Sequence, residues 1–243
     1  MIAAVLMLGT FVVLGIPAAI VCFPWAAITG DVMPLYRSGM FIVRTAIRLA
    51  GITIQVQGRE HVPAQATCIF MSNHVSNLDP TILLPLIPGR ASVFLKRSLM
   101  KIPILGYGMR LASYIPVDRD GSVKSAQESA RKASEVLGQG VHVMTFVEGT
   151  RSRDGRLLPF KKGPFFLGME TGAPCVPVSI SGTETMMRKG SLRIYPGPAR
   201  VVFHPAIYPK RVQDREVLMS AVRQAIASGL PEWMRQEGSQ VAG

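Results

Sequence analysis

Thirty residues pass before this chain reaches its first charged side chain, Asp31, and that run limits how the rest can fold. From Ile2 to Phe23 the only polar side chain is Thr10. As a helix this stretch is about 33 Å long, comparable to the hydrocarbon core of a bilayer. A secretory signal is disfavoured, because no Lys or Arg precedes the apolar run and the run is too long. A helix buried in a soluble core would need apolar partners on every side. A membrane segment remains, either spanning or embedded from one side, and Pro17 and Pro24 predict a bend or an early stop.

The next stretch, residues 33 to 50, reads MPLYRSGMFIVRTAIRLA. At 100° per residue Arg37, Arg44 and Arg48 fall within about 40° of one another, a single basic stripe. Met40, Phe41, Val43, Ile47 and Leu49 occupy the other faces. A basic amphipathic helix after an apolar one suits a membrane interface, with arginines toward lipid phosphates. The plainer alternative is a surface helix with a solvated arginine face. If the first segment spans, the positive-inside tendency puts Arg37 to Arg48 and all that follows in the cytoplasm.

The chain has 243 residues, enough for one sizeable domain after these helices. Lys and Arg number 27 against 15 Asp and Glu, a net charge of +12. That balance points to an anionic partner: nucleic acid, a membrane surface, or a phosphorylated substrate. No aromatic-interleaved basic platform is present, so nucleic acid ranks last. Cys22, Cys68 and Cys175 are far apart in apolar surroundings and read as reduced thiols. His61, His74, His142 and His204 make no metal-binding spacing, and no metal or prosthetic group is expected.

From Gly51 onward, short apolar runs alternate with helical patterns. Strands are expected at Ile52 to Val56, Ala66 to Met71, Ser92 to Leu95, Ser113 to Val117, Val141 to Val147, Cys175 to Ile180, Leu192 to Tyr195 and Arg200 to Phe203. Pro116 demotes its strand to an edge or an end. Helices are expected near 81–86, 102–111, 122–137 (with Gly138 as its cap), 164–171 and 212–228. The fold class that follows is α/β: a mostly parallel sheet flanked by helices, behind an N-terminal hydrophobic two-helix membrane-anchoring segment. Residues 1–50 form the anchor, 51–228 the α/β domain and 229–243 a loose tail.

Two loops carry chemistry. Residues 73 to 80, NHVSNLDP, follow an apolar strand and open a short helix. On a regular helix His74 and Asp79 would point about 140° apart. They meet only if the chain turns between them, and Ser76-Asn77 favour a turn. Together they make an oriented base: the carboxylate fixes the imidazole tautomer, and the second nitrogen can take a proton from a hydroxyl. The alternative is structural, with Asp79-Pro80 as a helix start and His74 a satisfied histidine. One carboxylate could serve both purposes.

The second loop, FVEGTRSR from Phe146 to Arg153, also leaves a buried strand. Glu148 stands at the strand end. Gly149 lets backbone N–H groups approach a ligand. Thr150, Arg151 and Ser152 offer hydroxyls and a guanidinium fork, which together grip phosphate. Lys96-Arg97 and Arg119 put cations at two further strand ends, and residues 98 to 106 form an apolar hump suited to contact with lipid.

In order and spacing, NHVSNLD, KRSLMKIPILG with IPVDR, FVEGTRS and VPVSI resemble the glycerolipid acyltransferase family, in particular bacterial 1-acylglycerol-3-phosphate acyltransferases. The resemblance covers residues 60 to 205. It implies that His74 and Asp79 are catalytic. It also implies that Glu148, Gly149, Thr150 and Arg151, with Arg119, hold the acceptor's phosphate. The implied partners are lysophosphatidic acid, acyl-CoA or acyl-carrier protein as co-substrate, and membrane phospholipid, at the cytoplasmic face of the membrane. Lys96 and a backbone N–H near Gly149 compete for the reaction oxyanion. A GxSxG elbow is absent, against an α/β-hydrolase esterase. Acylation of glycerol-3-phosphate or another lysophospholipid, or a non-catalytic module that binds anionic lipid, are the alternatives.

Overall fold

The structure, a computed structural model, describes residues 1–117, 123–188 and 190–236. Helix α1 is Ile2–Thr29 and α2 is Met33–Leu49, with three residues between them. They form an antiparallel hairpin: Cys22 Sγ lies 3.7 Å from Ser38 Oγ, and Ala3 and Met7 share a core with Ala46, Ile47 and Ala50. Helix α1 does not stop at Pro17 or Pro24 but continues to Gly30, whose left-handed φ of 73° ends it. Each proline costs only one helical N–H, and the run is apolar throughout. Val5, Leu8, Val13, Ile20, Val21 and Ile28 point outward. Among the described residues α1 is the one helix long and apolar enough to cross a membrane. The arginine stripe of α2 is exposed, and Arg44 donates to Pro85 O at 2.7 Å, tying the hairpin to the following domain.

The strands are β1 (Ile52–Gln57), β2 (Ile69–Ser72), β3 (Ala91–Lys96), β4 (Ile115–Val117), β5 (His142–Phe146), β6 (Cys175–Ser181) and β7 (Gly197–Phe203). They form a seven-stranded sheet in the order β1-β7-β6-β2-β5-β3-β4. Five of the six pairings are parallel; β7 runs antiparallel to β6, so β1 and β7 point opposite to the other five. Pro116 lies on β4 at the sheet's edge, as a residue with no N–H requires.

Helices α3 (Asp79–Leu83), α4 (Leu105–Leu111), α5 (Val123–Gly138), α6 (Gly163–Thr171), α7 (Thr183–Met186), α8 (Pro209–Val212), α9 (Arg215–Gly229) and α10 (Glu232–Arg235) complete the fold. Side-chain alternation on β2 sorts the core into two layers. Cys68 and Phe70 join the side covered by α2 and α3, while Ile69 and Met71 join the side covered by α5, α6 and α9. Phe70 meets both Phe203 and His142 edge-on and is 1% exposed. Burying such a side chain contributes about 1.5–3 kcal/mol.

Three expectations need correction. Residues 192–195 form no strand: Ile194 is buried but Leu192 is exposed, and β7, which follows them, fills the place beside β1. The helix expected at 212–228 is broken at Gln213 (φ 59°) and restarts with Asp214 as its cap, the carboxylate accepting from Val217 N at 2.9 Å. The supposed loose tail carries helix α10 and is packed as far as Met234. Met234 is fully buried, its carbonyl accepts from Leu157 N at 2.8 Å, and Trp233 lies over Gly155.

The topology positions the site. Strands β6, β2 and β5 are parallel neighbours, with Ser72 in register with Phe146 and Val178. Their carboxyl ends therefore share one edge, so the loops after Ser72, Phe146 and Ser181 converge there. Chain crevices of this kind hold the ligands of open α/β sheets.

Candidate active site

The loop after β2 is held by hydrogen bonds to β6 and to its own Asp79. Asn73 exchanges two hydrogen bonds with Ile180, its Nδ2 donating to the carbonyl and its Oδ1 accepting from the amide, both at 2.9 Å. The loop then folds back on itself around Asp79. Oδ2 of Asp79 accepts from Val75 N, Ser76 N and His74 Nδ1, each at 2.8 Å. Oδ1 accepts from Thr183 Oγ1 at 2.6 Å. Asp79 is fully buried, so these donors replace the water it has lost. It caps the turn behind it rather than the helix it opens, which resolves the two sequence readings of Asp79-Pro80.

An ionised carboxylate only accepts, so Nδ1 of His74 carries the proton and Nε2 presents a lone pair. Nε2 has no protein partner among the described residues. The imidazole stacks on Phe146, ring centroids 3.8 Å apart and planes inclined by 17°. Asp79 and Phe146 together fix both the tautomer and the plane of the ring, and an aromatic face also favours an imidazolium.

Glu148, expected among the phosphate-binding residues, does something else. It is fully buried; Oε1 accepts from His74 N at 2.7 Å and Oε2 from Leu158 N at 2.8 Å. Burial, only partly offset by the two amides, leaves its carboxyl raised to about 8. Both of its oxygens are taken by backbone amides, and the side chain braces the backbone of the His74 loop against the loop after β5. Ser152 has a similar fate: its amide donates to His74 O at 2.8 Å and its hydroxyl to Asp154 Oδ1 at 2.9 Å.

Gly149 has φ 69°, and a Cβ there would stand 3.0 Å from Lys161 Cγ. Its own N–H donates to Phe146 O at 3.0 Å, which closes the turn and removes that N–H as an oxyanion donor. Thr150 is half-buried and is not among the residues lining the adjoining cavity. Arg119 lies outside the described residues.

The cavity has a volume of about 1170 Å³. Sites for small ligands are commonly about 300–1,000 Å³, so there is room for a headgroup and a long chain. One end is polar, lined by His74, Asn77, Gly149, Lys96, Arg151 and Lys161. Most of the remaining lining is apolar, with Phe11, Ile16 and Phe23 of α1, Leu35 and Val43 of α2, and Leu99, Ile104 and Leu105. The hump at 98–106 thus forms one wall of a passage whose other wall is the membrane-type hairpin. Tyr107 meets Phe23 edge-on at 4.9 Å and joins the two walls. No cluster of three potential metal ligands occurs among the described residues.

Comparison with known proteins fits this geometry. The family model described as Acyltransferase matches residues 53–181. The chain belongs to that acyltransferase family. It is 35% identical over 188 residues to the 1-acyl-sn-glycerol-3-phosphate acyltransferase of Limnanthes douglasii, covering 77% of this chain and 66% of that protein. It is 33% identical over 159 residues to the human alpha enzyme of the same name, covering 65% of this chain and 56% of the human one. The chain therefore spans about half to two thirds of the curated relatives it matches. Its fold is similar to the crystal structure of the 1-acyl-sn-glycerophosphate acyltransferase PlsC of Thermotoga maritima. That match has a TM-score of 0.78 at 25% identity and covers 97% of both chains. Of the acyltransferase motifs seen in the sequence, the matched segment holds both loops, from His74 and Asp79 to Glu148 and Arg151, and ends at Ser181, two residues before Thr183. Sequence reasoning missed Thr183, which sits 104 positions from the carboxylate it serves. The only local hint is Gly182 before it, a turn residue directly after a buried strand.

Proposed function

We propose that this protein transfers a fatty acyl group from an acyl thioester, acyl-CoA or acyl-carrier protein, to the sn-2 hydroxyl of 1-acylglycerol-3-phosphate, giving phosphatidic acid. The observation that carries the proposal is the shared cavity. Nε2 of His74, without a partner among the described residues, opens onto the same space as Arg151 and Lys161, and that space continues along apolar helices.

In this reading the acceptor's phosphate sits against Arg151, with Lys161 adding positive potential, and its acyl chain lies in the apolar passage. Phosphate and chain together fix the hydroxyl near His74. Nε2 takes the hydroxyl proton as the oxygen attacks the thioester carbonyl, and Asp79 stabilises the imidazolium. The carbonyl π electrons move to oxygen, and Lys96 is the cation we assign to that oxyanion. Collapse expels thiolate, which leaves with the proton from His74. Thiolate is a good leaving group, so no enzyme nucleophile is needed.

The α1–α2 hairpin is the proposed anchor, and the cytoplasmic face the proposed location. Acceptor, donor headgroup and membrane surface are all anionic, which suits a chain of net charge +12. Purified protein in detergent, crossed against both donors with lysophosphatidate, glycerol-3-phosphate and larger lysophospholipids, tests the assignment. Thiol release with lysophosphatidate and either donor is expected, and release only with another acceptor would replace it.

A further inference from the structure

We propose that Thr183 is a positioning residue that holds the Asp79 carboxylate in the one orientation that serves His74. The inference rests on the reading of His74 and Asp79 as the catalytic pair.

The two oxygens of Asp79 are unequally served. Oδ2 accepts three bonds, two from the backbone of its own loop and one from His74. Oδ1 accepts from Thr183 alone among the described residues, at 2.6 Å, and both side chains are fully buried. Bulk water does not reach that oxygen in the fold. Without it, a partial turn, up to about a quarter, about the last carboxylate torsion would be opposed only by the three bonds to Oδ2, and an unpaired buried oxygen would favour such a turn. The imidazole would then lose its partner's lone pair even though Asp79 itself had not moved.

Thr183 is presented by built geometry. It follows Gly182, which has φ 92° and where a Cβ would lie 2.3 Å from Pro198 O, so only glycine turns the chain at this point. The same short segment holds the catalytic loop at two more places, Ile180 to Asn73 and the Met187 carbonyl to Ser76 Oγ at 2.9 Å. Those bonds set the loop's path. The Thr183 bond is the one directed to the reacting pair. A threonine hydroxyl donates its single proton here, and a donor to Oδ1 favours the ionised carboxylate that an imidazolium needs.

The test compares Thr183→Val, which keeps the shape and removes the donor, with Thr183→Ser, which keeps the donor. Both are made also in an Asp79→Asn background, and each variant is checked for folding by thermal melting. With lysophosphatidate and acyl-CoA or acyl-carrier protein, Thr183→Val should lower kcat about 10- to 100-fold with both KM values held within about twofold. Thr183→Ser should recover most of kcat. In the Asp79→Asn background Thr183→Val should cost nothing further, because the carboxylate it orients is gone. If Thr183→Val does not fold, Thr183→Ala, which relieves any crowding by the new methyl, takes its place with the same expectations. Two results overturn the proposal: kcat within about twofold of wild type in the folded Val or Ala variant while Asp79→Asn is crippled, or an equal loss in both backgrounds. Ordinary turnover in both His74→Ala and Asp79→Asn would instead overturn the reading of the pair itself.

Discussion

His74 and His204 are both 8% exposed, and both are paired with a hydrogen-bonding side chain, yet only one is equipped for chemistry. Nδ1 of His74 is engaged by a carboxylate and Nε2 opens onto the cavity. For His204 the engaged nitrogen is Nε2, 2.7 Å from Ser179 Oγ, and that hydroxyl gives its own proton to Ile226 O at 2.7 Å. Nε2–H of His204 must therefore donate, and the serine has no proton for it to take. Gly229 closes the pair off: a Cβ there would stand 2.5 Å from Ser179 Oγ. A serine–histidine contact in sequence-scan terms looks more like a catalytic pair than histidine–aspartate does. The direction of the proton and access to a cavity decide otherwise.

That contrast can be broken at several points. The largest effect is expected from His74→Ala, which should lower kcat by about 10²–10⁴-fold while acceptor binding is kept, as steady-state kinetics would report. His204→Gln should leave turnover near the wild-type value, and a matching collapse there would erase the distinction between the two histidines. Asp79→Asn comes next, with a loss of about 10²–10⁴-fold in kcat from the wrong imidazole tautomer. Arg151→Ala should act mainly on the acceptor, raising its KM about tenfold or more as a charge-assisted contact is lost. An unchanged KM would remove Arg151 from the phosphate.

The smallest effect is in the pH dependence of stability. Burial, with the charge of His61 nearby, pushes the His204 imidazole down to about 4 from its usual 6.5. It stays neutral in the fold while the unfolded chain takes up its proton near 6.5. Its contribution to stability is therefore complete above pH 6.5 and is lost as pH falls toward about 4. Melting temperature should decline over that window, and less steeply in His204→Gln. Equal slopes would contradict the assignment.

The sequence was most legible where chemistry is local. His74, the turn at Ser76-Asn77 and Asp79 lie within seven residues, and one loop brings them together. The alternating strands were legible because burial on both faces leaves continuous apolar runs such as Cys175–Ser181. What was not legible depends on distant partners. Glu148 reads as a ligand-facing acid until Leu158 and the amide of His74 are seen to occupy both of its oxygens. Thr183 becomes meaningful only when β6 pairs beside β2. Residues 192–195 have a strand's alternation, but alternation specifies a face and not a neighbour. The end of the described chain read as loose because its anchors, Leu230, Trp233 and Met234, make no periodic pattern.

The central claim is that the imidazole at position 74 takes the acceptor's proton inside the cavity that also holds its phosphate. Mixing purified protein with lysophosphatidate and an acyl thioester, and following free thiol in wild type and His74→Ala, tests it most directly. Rapid acceptor-dependent thiol release by the wild type, with release at background in the variant, is the predicted result. Thiol release by folded His74→Ala at the wild-type rate would contradict it.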